Sequence, residues 1–190
     1  MAPKTIIDER IEKMWARTQK WLEEGTFDRH MPEAMDDFGR EILPPLAAKL
    51  FFKGIGKLDE AAAETALKEV GSGCGGFELG LMTLKGVKIP VQSDEEIDHF
   101  LEVNEMGENV ASGGKSKITR DGNSATLVIK GGCVCPLVKQ LDIEPTGNHC
   151  FCTLHHLKHV YETALARPVE VDLIETYLRG GDSCTIRMSW

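Results

Sequence analysis

The hydrophobic positions divide the chain into a helical first half and a second half that contains strands. Apolar residues recur at helical spacing, and glycine, proline or a capping residue marks an end of each run. The predicted helices cover residues 4–24, 32–43, 46–52, 58–70 and 93–109. We therefore expect the first part of the chain to be a helical layer.

From Lys117 onward the pattern changes to one typical of strands. Strand-forming residues flank a turn at 121–123, which predicts a hairpin. A helix is predicted over 150–165, and a second hairpin follows over 168–188. The chain is thus predicted to be an α+β protein, in which an N-terminal helical layer packs with an antiparallel sheet and a helix around an internal small-molecule pocket.

We expect a single domain over residues 1–190. Residues 1–110 would be mainly helical, and residues 115–190 would form the α+β segment that carries a cluster of cysteines. The sequence has no internal repeat and no low-complexity linker that would favour a division into two domains.

A glycine-rich segment, GSGCGGFELG, occupies residues 71–80. It lacks the Lys-Ser/Thr ending of a phosphate-binding loop and the dinucleotide fingerprint. Two interpretations stay open. The segment is the end of a helix followed by a flexible turn, or its glycines allow Cys74 to line a pocket, where the thiol could act as a nucleophile.

The composition is that of an ordinary globular protein, with 42% hydrophobic and 27% charged residues. The formal net charge of -8 disfavours a nucleic-acid or membrane-surface partner, which would require a basic face. No signal-peptide pattern and no apolar run long enough to span a membrane is visible in the sequence. We therefore expect a cytoplasmic protein, in which thiols stay reduced.

Five of the six cysteines fall within the last third of the chain, as two Cys-x-Cys pairs and a single residue: Cys133, Cys135, Cys150, Cys152 and Cys184. Thiolates are suited to Zn²⁺, Cu⁺ and iron-sulfur chemistry. The spacing differs from the two Cys-x-x-Cys knuckles of common structural zinc sites, so burial as small hydrophobic residues stays open.

The helix predicted over 150–165 combines cysteines with histidines. Cys150 and Cys152 lie near its N-terminus, where unpaired N–H groups and the helix dipole lower the pKa of a thiol. His155 and His156 follow on the same helix, and either could form a thiol-imidazole couple with Cys152. The candidate catalytic residues are Cys150, His155 and His156; exposed surface histidines are the alternative.

Glu175 ends a predicted strand on its presumed inward side, where an unpaired carboxylate would be costly. A carboxylate there favours a cation, which Cys184 at the start of the next strand could share. Exposure of Glu175 near the turn is the other interpretation.

From Cys152 to the ending RPVEVDLIETYLRGGDSC, the chain resembles the 4-vinyl reductase small-molecule-binding domain and the related L-2-amino-thiazoline-4-carboxylic acid hydrolase-like proteins. The resemblance implies that Cys152, Glu175 and Cys184 bind zinc beside a pocket.

Leu178 replaces a further cysteine of that family. Under the resemblance, Cys133, Cys135 or Cys150 would then supply the fourth zinc ligand.

We expect a metal- or thiol-dependent hydrolase that acts on a small substrate with a C–N or C–S bond, with zinc as its cofactor. Two alternatives stay open. One is a zinc-containing small-molecule-binding module without catalysis, and the other is a cysteine-rich redox or metal-handling protein with an iron-sulfur cluster. The expected partner is a small-molecule ligand or substrate, and a homodimer is left open.

Overall fold

The computed structural model describes residues 6–26, 29–30, 43–112, 115–132 and 143–190. These residues form five α-helices and a four-stranded antiparallel sheet, so the predicted α+β class is confirmed. In chain order the elements are α1 (Ile6–Glu23), α2 (Leu43–Ile55), α3 (Glu60–Leu84), α4 (Asp94–Ser112), β1 (Ser116–Asp121), β2 (Ser124–Ile129), α5 (Cys150–Leu165), β3 (Glu170–Glu175) and β4 (Cys184–Ser189). Short 3₁₀ turns at Gly147–His149 and Tyr177–Arg179 precede α5 and follow β3.

The chain divides into two compact units, one formed by residues 1–54 and 136–144 and the other by residues 55–135 and 145–190. In the first unit, Trp21 on α1 is buried and its ring stacks on that of His30, with the centroids 4.7 Å apart. The second unit contains α3 to α5 and the whole sheet. A single domain over the full chain stays a prediction.

The first predicted helix is confirmed as α1, and the short apolar helix predicted over 46–52 forms part of α2. The helix α2 begins at Leu43, so two prolines occupy its first turn, where the missing N–H groups have no helical acceptor. The helix predicted over 32–43 lies outside the described residues except for Leu43.

The helix α3 is 25 residues long and runs through the glycine-rich segment. Asp59 caps its start, because its Oδ1 accepts a hydrogen bond of 2.9 Å from the backbone N–H of Ala62. The expected helix end near Val70 and the flexible turn after it are therefore wrong. Cys74 is a partly buried residue within this helix.

The sheet has the strand order β1-β2-β4-β3, and each neighbouring pair is antiparallel. Both predicted hairpins are confirmed. The strand β4 pairs with β2 and β3, and its first residue, Cys184, lies opposite Ile129 at the end of β2. The end of β2, the start of β4 and the end of β3 consequently share one end of the sheet.

The core of the second unit joins one face of the sheet to α3, α4 and α5. The predicted helix over 150–165 is confirmed with those bounds as α5. Its Tyr161 packs edge-on against Phe100 of α4 with ring centroids 5.1 Å apart, and both side chains are fully buried. The three helices are thus held at fixed positions beside the sheet.

No helix within the described ranges is long and apolar enough to cross a membrane.

Candidate metal centre

Three helices bring two carboxylates and one imidazole together. Glu78 of α3, Glu108 of α4 and His156 of α5 each offer a ligand atom, and these atoms lie within 4.8 Å of one another. Each of the three residues is partly buried. We call this group the Glu78–Glu108–His156 centre.

Two glycines set the spacing between α3 and α5. A Cβ atom at Gly71 would lie 2.6 Å from the carbonyl oxygen of Cys152, and one at Gly75 would lie 2.9 Å from that of His156. Real Cβ atoms do not approach backbone oxygen so closely, so this contact requires glycine at both positions. Glu78 follows Gly75 by about one helical turn, and the close approach thereby places its carboxylate beside His156.

A chain of hydrogen bonds orients Glu78. Its Oε2 lies 2.5 Å from Nε2 of His156, and its Oε1 accepts a hydrogen bond of 2.7 Å from Nδ2 of Asn104. Oδ1 of Asn104 in turn accepts a hydrogen bond of 3.0 Å from the hydroxyl of Tyr161. Because Asn104 and Tyr161 are completely buried, this network fixes the Glu78 carboxylate in one orientation.

The electrostatics of the centre are unfavourable for two ionised carboxylates. Burial and then the charge of Glu78 raise the pKa of Glu108 from 4.5 to about 7, although the charge of His156 opposes this shift. Burial alone would lower the pKa of His156. The hydrogen bond and charge of Glu78, together with the charge of Glu108, outweigh burial and raise that pKa. Positive charge is therefore favoured at this point.

Two carboxylates and an imidazole are a donor set that suits Zn²⁺, Mn²⁺ or Fe²⁺. Three protein ligands leave coordination positions for water and substrate, as in catalytic rather than structural zinc sites. An ion bound to both His156 and Glu78 must displace the proton that their 2.5 Å hydrogen bond shares. Metal affinity at this centre is therefore expected to increase with pH.

The predicted catalytic residues occupy three different environments. His156 belongs to the metal centre. The Nε2 atom of His155 lies 3.6 Å from Oε1 of Glu64 on α3. Cys150 is buried, and its thiol donates a hydrogen bond of 3.4 Å to Oγ1 of Thr176. Among the described residues, these three side chains therefore do not form one catalytic group.

Three of the predicted zinc ligands lie at the ends of elements: Cys152 near the start of α5, Glu175 at the end of β3 and Cys184 at the start of β4. Cys152 is buried in the first turn of α5, and Cys184 is partly buried at the start of β4. Cys133 and Cys135 lie outside the described residues. Within the part of the chain that is described, the one close group of potential ligands does not include Cys152 or Cys184.

Glu175 has hydrogen-bond donors from its own turn. Its Oε1 accepts from the backbone N–H of Asp182 at 2.6 Å, and its Oε2 accepts from the hydroxyl of Ser183 at 2.9 Å. The backbone N–H of Asp182 and then the Ser183 hydroxyl lower the pKa of Glu175. Protein donors thus satisfy this carboxylate, and its function as a zinc ligand stays a prediction.

Sequence reasoning missed Glu78, Glu108 and the orienting Asn104. Glu78 was hidden because the glycines before it predicted a turn, whereas the segment is helical. The four-residue spacing of Gly71 and Gly75 is a signal that could have found it, since small residues at this spacing allow two helices to pack closely.

A large part of the chain matches the model of a known protein family. Residues 57–189 match the model of DUF6144, which is described as a family of unknown function. No curated protein sequence matches the chain. The match covers the described parts of α3, α4, α5 and the sheet, and thus the three residues of the metal centre.

Proposed function

Because the chain belongs to DUF6144, a family of unknown function, we propose its function from the geometry of the Glu78–Glu108–His156 centre. The proposed function is metal-dependent hydrolysis of a small molecule that contains a C–N or C–S bond. The expected metal is zinc, with manganese or ferrous iron compatible with the same donor set.

One observation carries the proposal: two carboxylates and an imidazole converge in a partly buried position on three rigid helices. Without a cation, burial and then the charge of Glu78 raise the pKa of Glu108, so this residue is mostly protonated below a pH of about 7. A divalent ion would neutralise both carboxylates and would offset this cost. The buried Asn104 and Tyr161 orient Glu78 as second-shell partners orient the ligands of known metal sites.

In the proposed reaction, a bound divalent cation supplies Lewis acidity and an activated water. Glu78, Glu108 and His156 would hold the ion. The network through Asn104 and Tyr161 would keep Glu78 in one orientation. Glu108 would in addition accept a proton from water and later release it to the departing nitrogen or sulfur. A C–O bond forms, the C–N or C–S bond breaks, and the amine or thiol leaves with the transferred proton.

The proposal includes a cytoplasmic location and a small-molecule substrate. The absence of a disulfide among the four described cysteines supports the location, since thiols stay reduced in the cytoplasm. The resemblance of the C-terminal part to thiazoline hydrolase-like proteins supports the class of substrate.

The test is metal content by elemental analysis after anaerobic purification, for the wild type and for Glu78→Gln and His156→Gln. We expect about one ion per chain in the wild type and about a tenfold or greater loss in each variant, since second-shell changes alone cost 10- to 100-fold. Glu69→Gln is the matched control, because Glu69 is exposed on the same helix as Glu78. If the wild type contains no metal, or if both variants keep the full metal content, the Glu78–Glu108–His156 centre does not bind the metal.

Hydrolysis is tested separately with the metal-loaded protein. Release of amine, ammonia or thiol is measured over a panel of small amides, cyclic amidines and thioesters. Turnover that disappears with chelator and in Glu108→Gln supports the hydrolase. Stable metal binding without turnover of any compound in the panel would contradict the hydrolase and would favour a metal-containing binding module.

A second candidate, a zinc site at the cysteines, is supported by the sheet topology. The thiol of Cys150 contacts Thr176 directly after β3, and Cys184 begins β4 at the same end of the sheet. Zinc that is lost in Cys152→Ser and Cys184→Ser but kept in Glu78→Gln would favour this candidate.

A further inference from the structure

The helix α3 exposes an apolar face on the side that turns away from α5. Phe77, Leu81 and Leu84 lie there, with 72%, 45% and 85% of their surface exposed. A helix turns by about 100° per residue, so this face lies opposite Gly71 and Gly75, which contact α5. We define the outer face of α3 by Val70, Gly73, Phe77, Gly80, Leu81 and Leu84. Single exposed apolar residues are normal, whereas three on one helix face form a patch that indicates an interaction surface.

The outer face of α3 carries no charge. Between Glu69 and Lys85 the sequence has a single charged residue, Glu78, and its carboxylate turns toward His156 in the metal centre. The whole chain has a net charge of -8, so like charges oppose contact between two copies wherever acidic residues meet. The centres of protein interfaces are depleted in charged residues. The outer face is therefore a surface at which two copies can approach each other without this repulsion.

The outer face has small residues beside its large ones. Gly73 and Gly80 are exposed, and no neighbouring side chain or other segment lies within 4 Å of the position that a Cβ atom would take at either glycine. Both glycines thus leave recesses in a surface from which Phe77, Leu81 and Leu84 project. Such a surface is self-complementary, because the projecting side chains of one helix fit the recesses of an identical helix.

An antiparallel pair of outer faces with a two-fold axis at Phe77 matches large residues to small ones. Residues equally distant from Phe77 along the chain then lie opposite each other. Leu81 faces Gly73 of the second copy, and Leu84 faces Val70, which is apolar and half-buried. The two Phe77 rings meet at the axis, where an aromatic pair stabilises the contact beyond its area. A parallel pair would place each side chain against its own copy and would leave Gly73 unfilled.

The exposed area is enough for a weak dimer. Since a large aromatic side chain buries about 150 to 250 Å², the exposed parts of Phe77, Leu81 and Leu84 offer roughly 350 Å² of apolar surface per copy. Homodimer interfaces are about 65% apolar, so two such faces correspond to an interface of roughly 1,100 Å² in total. This value exceeds the roughly 1,000 Å² that a specific interface needs and is below the standard size of about 1,600 Å².

We propose that the outer face of α3 is a homodimer interface, which the same face of a second copy of this chain covers. The interface is antiparallel and its two-fold axis passes near Phe77. Its size gives a dimer with a dissociation constant in the micromolar range. The proposal goes beyond the metal centre and does not rest on it, because Glu78 turns its carboxylate toward His156 and not toward this face.

The test is sedimentation velocity of the full chain over a wide range of protein concentration. A reducing agent is present so that no disulfide joins two copies, and a chelator is present so that no metal ion bridges them. We expect the apparent mass to increase with concentration from 21.0 kDa, the mass of one chain, toward twice that value.

Two variants change the outer face in opposite ways. Leu84→Glu places a charge from each copy inside the contact and should weaken dimerisation about tenfold or more. Gly73→Leu adds apolar area but fills the recess that Leu81 of the second copy occupies, so it should also weaken the dimer. The matched control is Ile174→Glu, which adds the same charge at an exposed apolar residue of β3 and should dimerise as the wild type does.

A wild type that stays monomeric at every concentration would overturn the proposal and would leave a different protein as the occupant of the outer face. Dimers that persist in Leu84→Glu would place the interface on another surface and would overturn it as well. Stronger association of Gly73→Leu would show nonspecific apolar contact in place of matched faces. Both substituted residues are exposed, so the variants are expected to fold, and circular dichroism verifies this.

Discussion

The ionised form of Glu108 is unfavourable in the metal-free Glu78–Glu108–His156 centre. Its carboxyl group lies near that of Glu78, and burial with this neighbouring charge raises its pKa to about 7. Near neutral pH the centre therefore contains a proton that a normal glutamate would have released. A proton or a metal ion can occupy this position, and the two compete.

This proton makes the stability of the metal-free protein depend on pH. Between a pH of 4.5 and about 7, folded Glu108 keeps a proton that the unfolded chain releases, so the free energy of unfolding decreases as pH rises. The decrease attributable to Glu108 amounts to roughly 3 kcal/mol. Glu108→Gln has no such proton to lose, so its stability relative to the wild type should increase across this window.

Urea unfolding in chelator at about pH 5 and about pH 8 measures this effect. The wild-type loss also contains a contribution from His156, whose raised pKa acts in the same direction, so the difference between the two proteins is the relevant quantity. Glu102→Gln, exposed on the same helix, is the control. A parallel pH dependence in Glu108→Gln and wild type would contradict the prediction.

At the scale of elements, α3 and α5 form the contact on which the centre depends. The glycines of α3 lower its intrinsic helix propensity by about 1 kcal/mol each relative to alanine. Gly71 and Gly75 nevertheless occupy helix positions, because their missing side chains let the backbone of α5 approach. Packing between the two helices therefore outweighs local propensity along this segment.

Two alanine substitutions on α3 should have opposite effects. Gly71→Ala places a Cβ 2.6 Å from a backbone oxygen of α5, so it should destabilise the protein by about 1 to 3 kcal/mol. Gly73→Ala has no atom within 4 Å of the new Cβ and should stabilise the protein by about 0.5 to 1 kcal/mol. Urea unfolding measures both.

Gly71→Ala should also weaken metal binding, since it separates the helices that carry Glu78 and His156. A Gly71→Ala protein as stable as Gly73→Ala would show that the two helices can separate at no cost. In that case the close contact would not determine the geometry of the centre.

At the scale of the whole molecule, the second unit contains the features on which function is argued. The buried core, the metal centre and the outer face of α3 all lie within residues 55–135 and 145–190. The match to DUF6144 begins at residue 57, close to the start of this unit. The shared part of the family is thus the part that holds the candidate sites.

A fragment of residues 55–190 should therefore fold and bind metal as the full chain does. Its apolar core is complete, and all three ligands of the centre are present. Circular dichroism, cooperative urea unfolding and elemental analysis of the fragment measure this. Loss of cooperative unfolding in the fragment would favour the single domain over residues 1–190 that the sequence predicts.

Much of the fold follows from the sequence because it depends on local patterns. The alternation of apolar residues and the turn at 121–123 determine the first hairpin, and helical periodicity determines α5 from Cys150 to Leu165. At the start of α4, the backbone N–H of Glu96 donates to the Ser93 hydroxyl, as the S-x-x-E pattern of a capping box implies.

The sequence alone also identified His156 as a candidate catalytic residue. It predicted a partner thiol for this imidazole, whereas the structure places His156 beside two carboxylates. Cysteines close to it in the sequence suggested a thiol partner, whereas the nearest carboxylate in space comes from Glu78, 78 residues earlier. Contacts between distant segments depend on how helices pack, and no local pattern encodes them. Tertiary structure therefore decided which side chains form the centre.

The glycine-rich segment, residues 71–80, shows most clearly why tertiary packing can override a prediction from local sequence. Its composition predicts a turn when local backbone preference is considered alone. In the folded protein two of these glycines, Gly71 and Gly75, provide space for α5, and the resulting contact keeps the segment helical. Local sequence preference therefore determined the first hairpin and α5. Packing against α5 decided that residues 71–80 are helical, because their conformation depends on that neighbour.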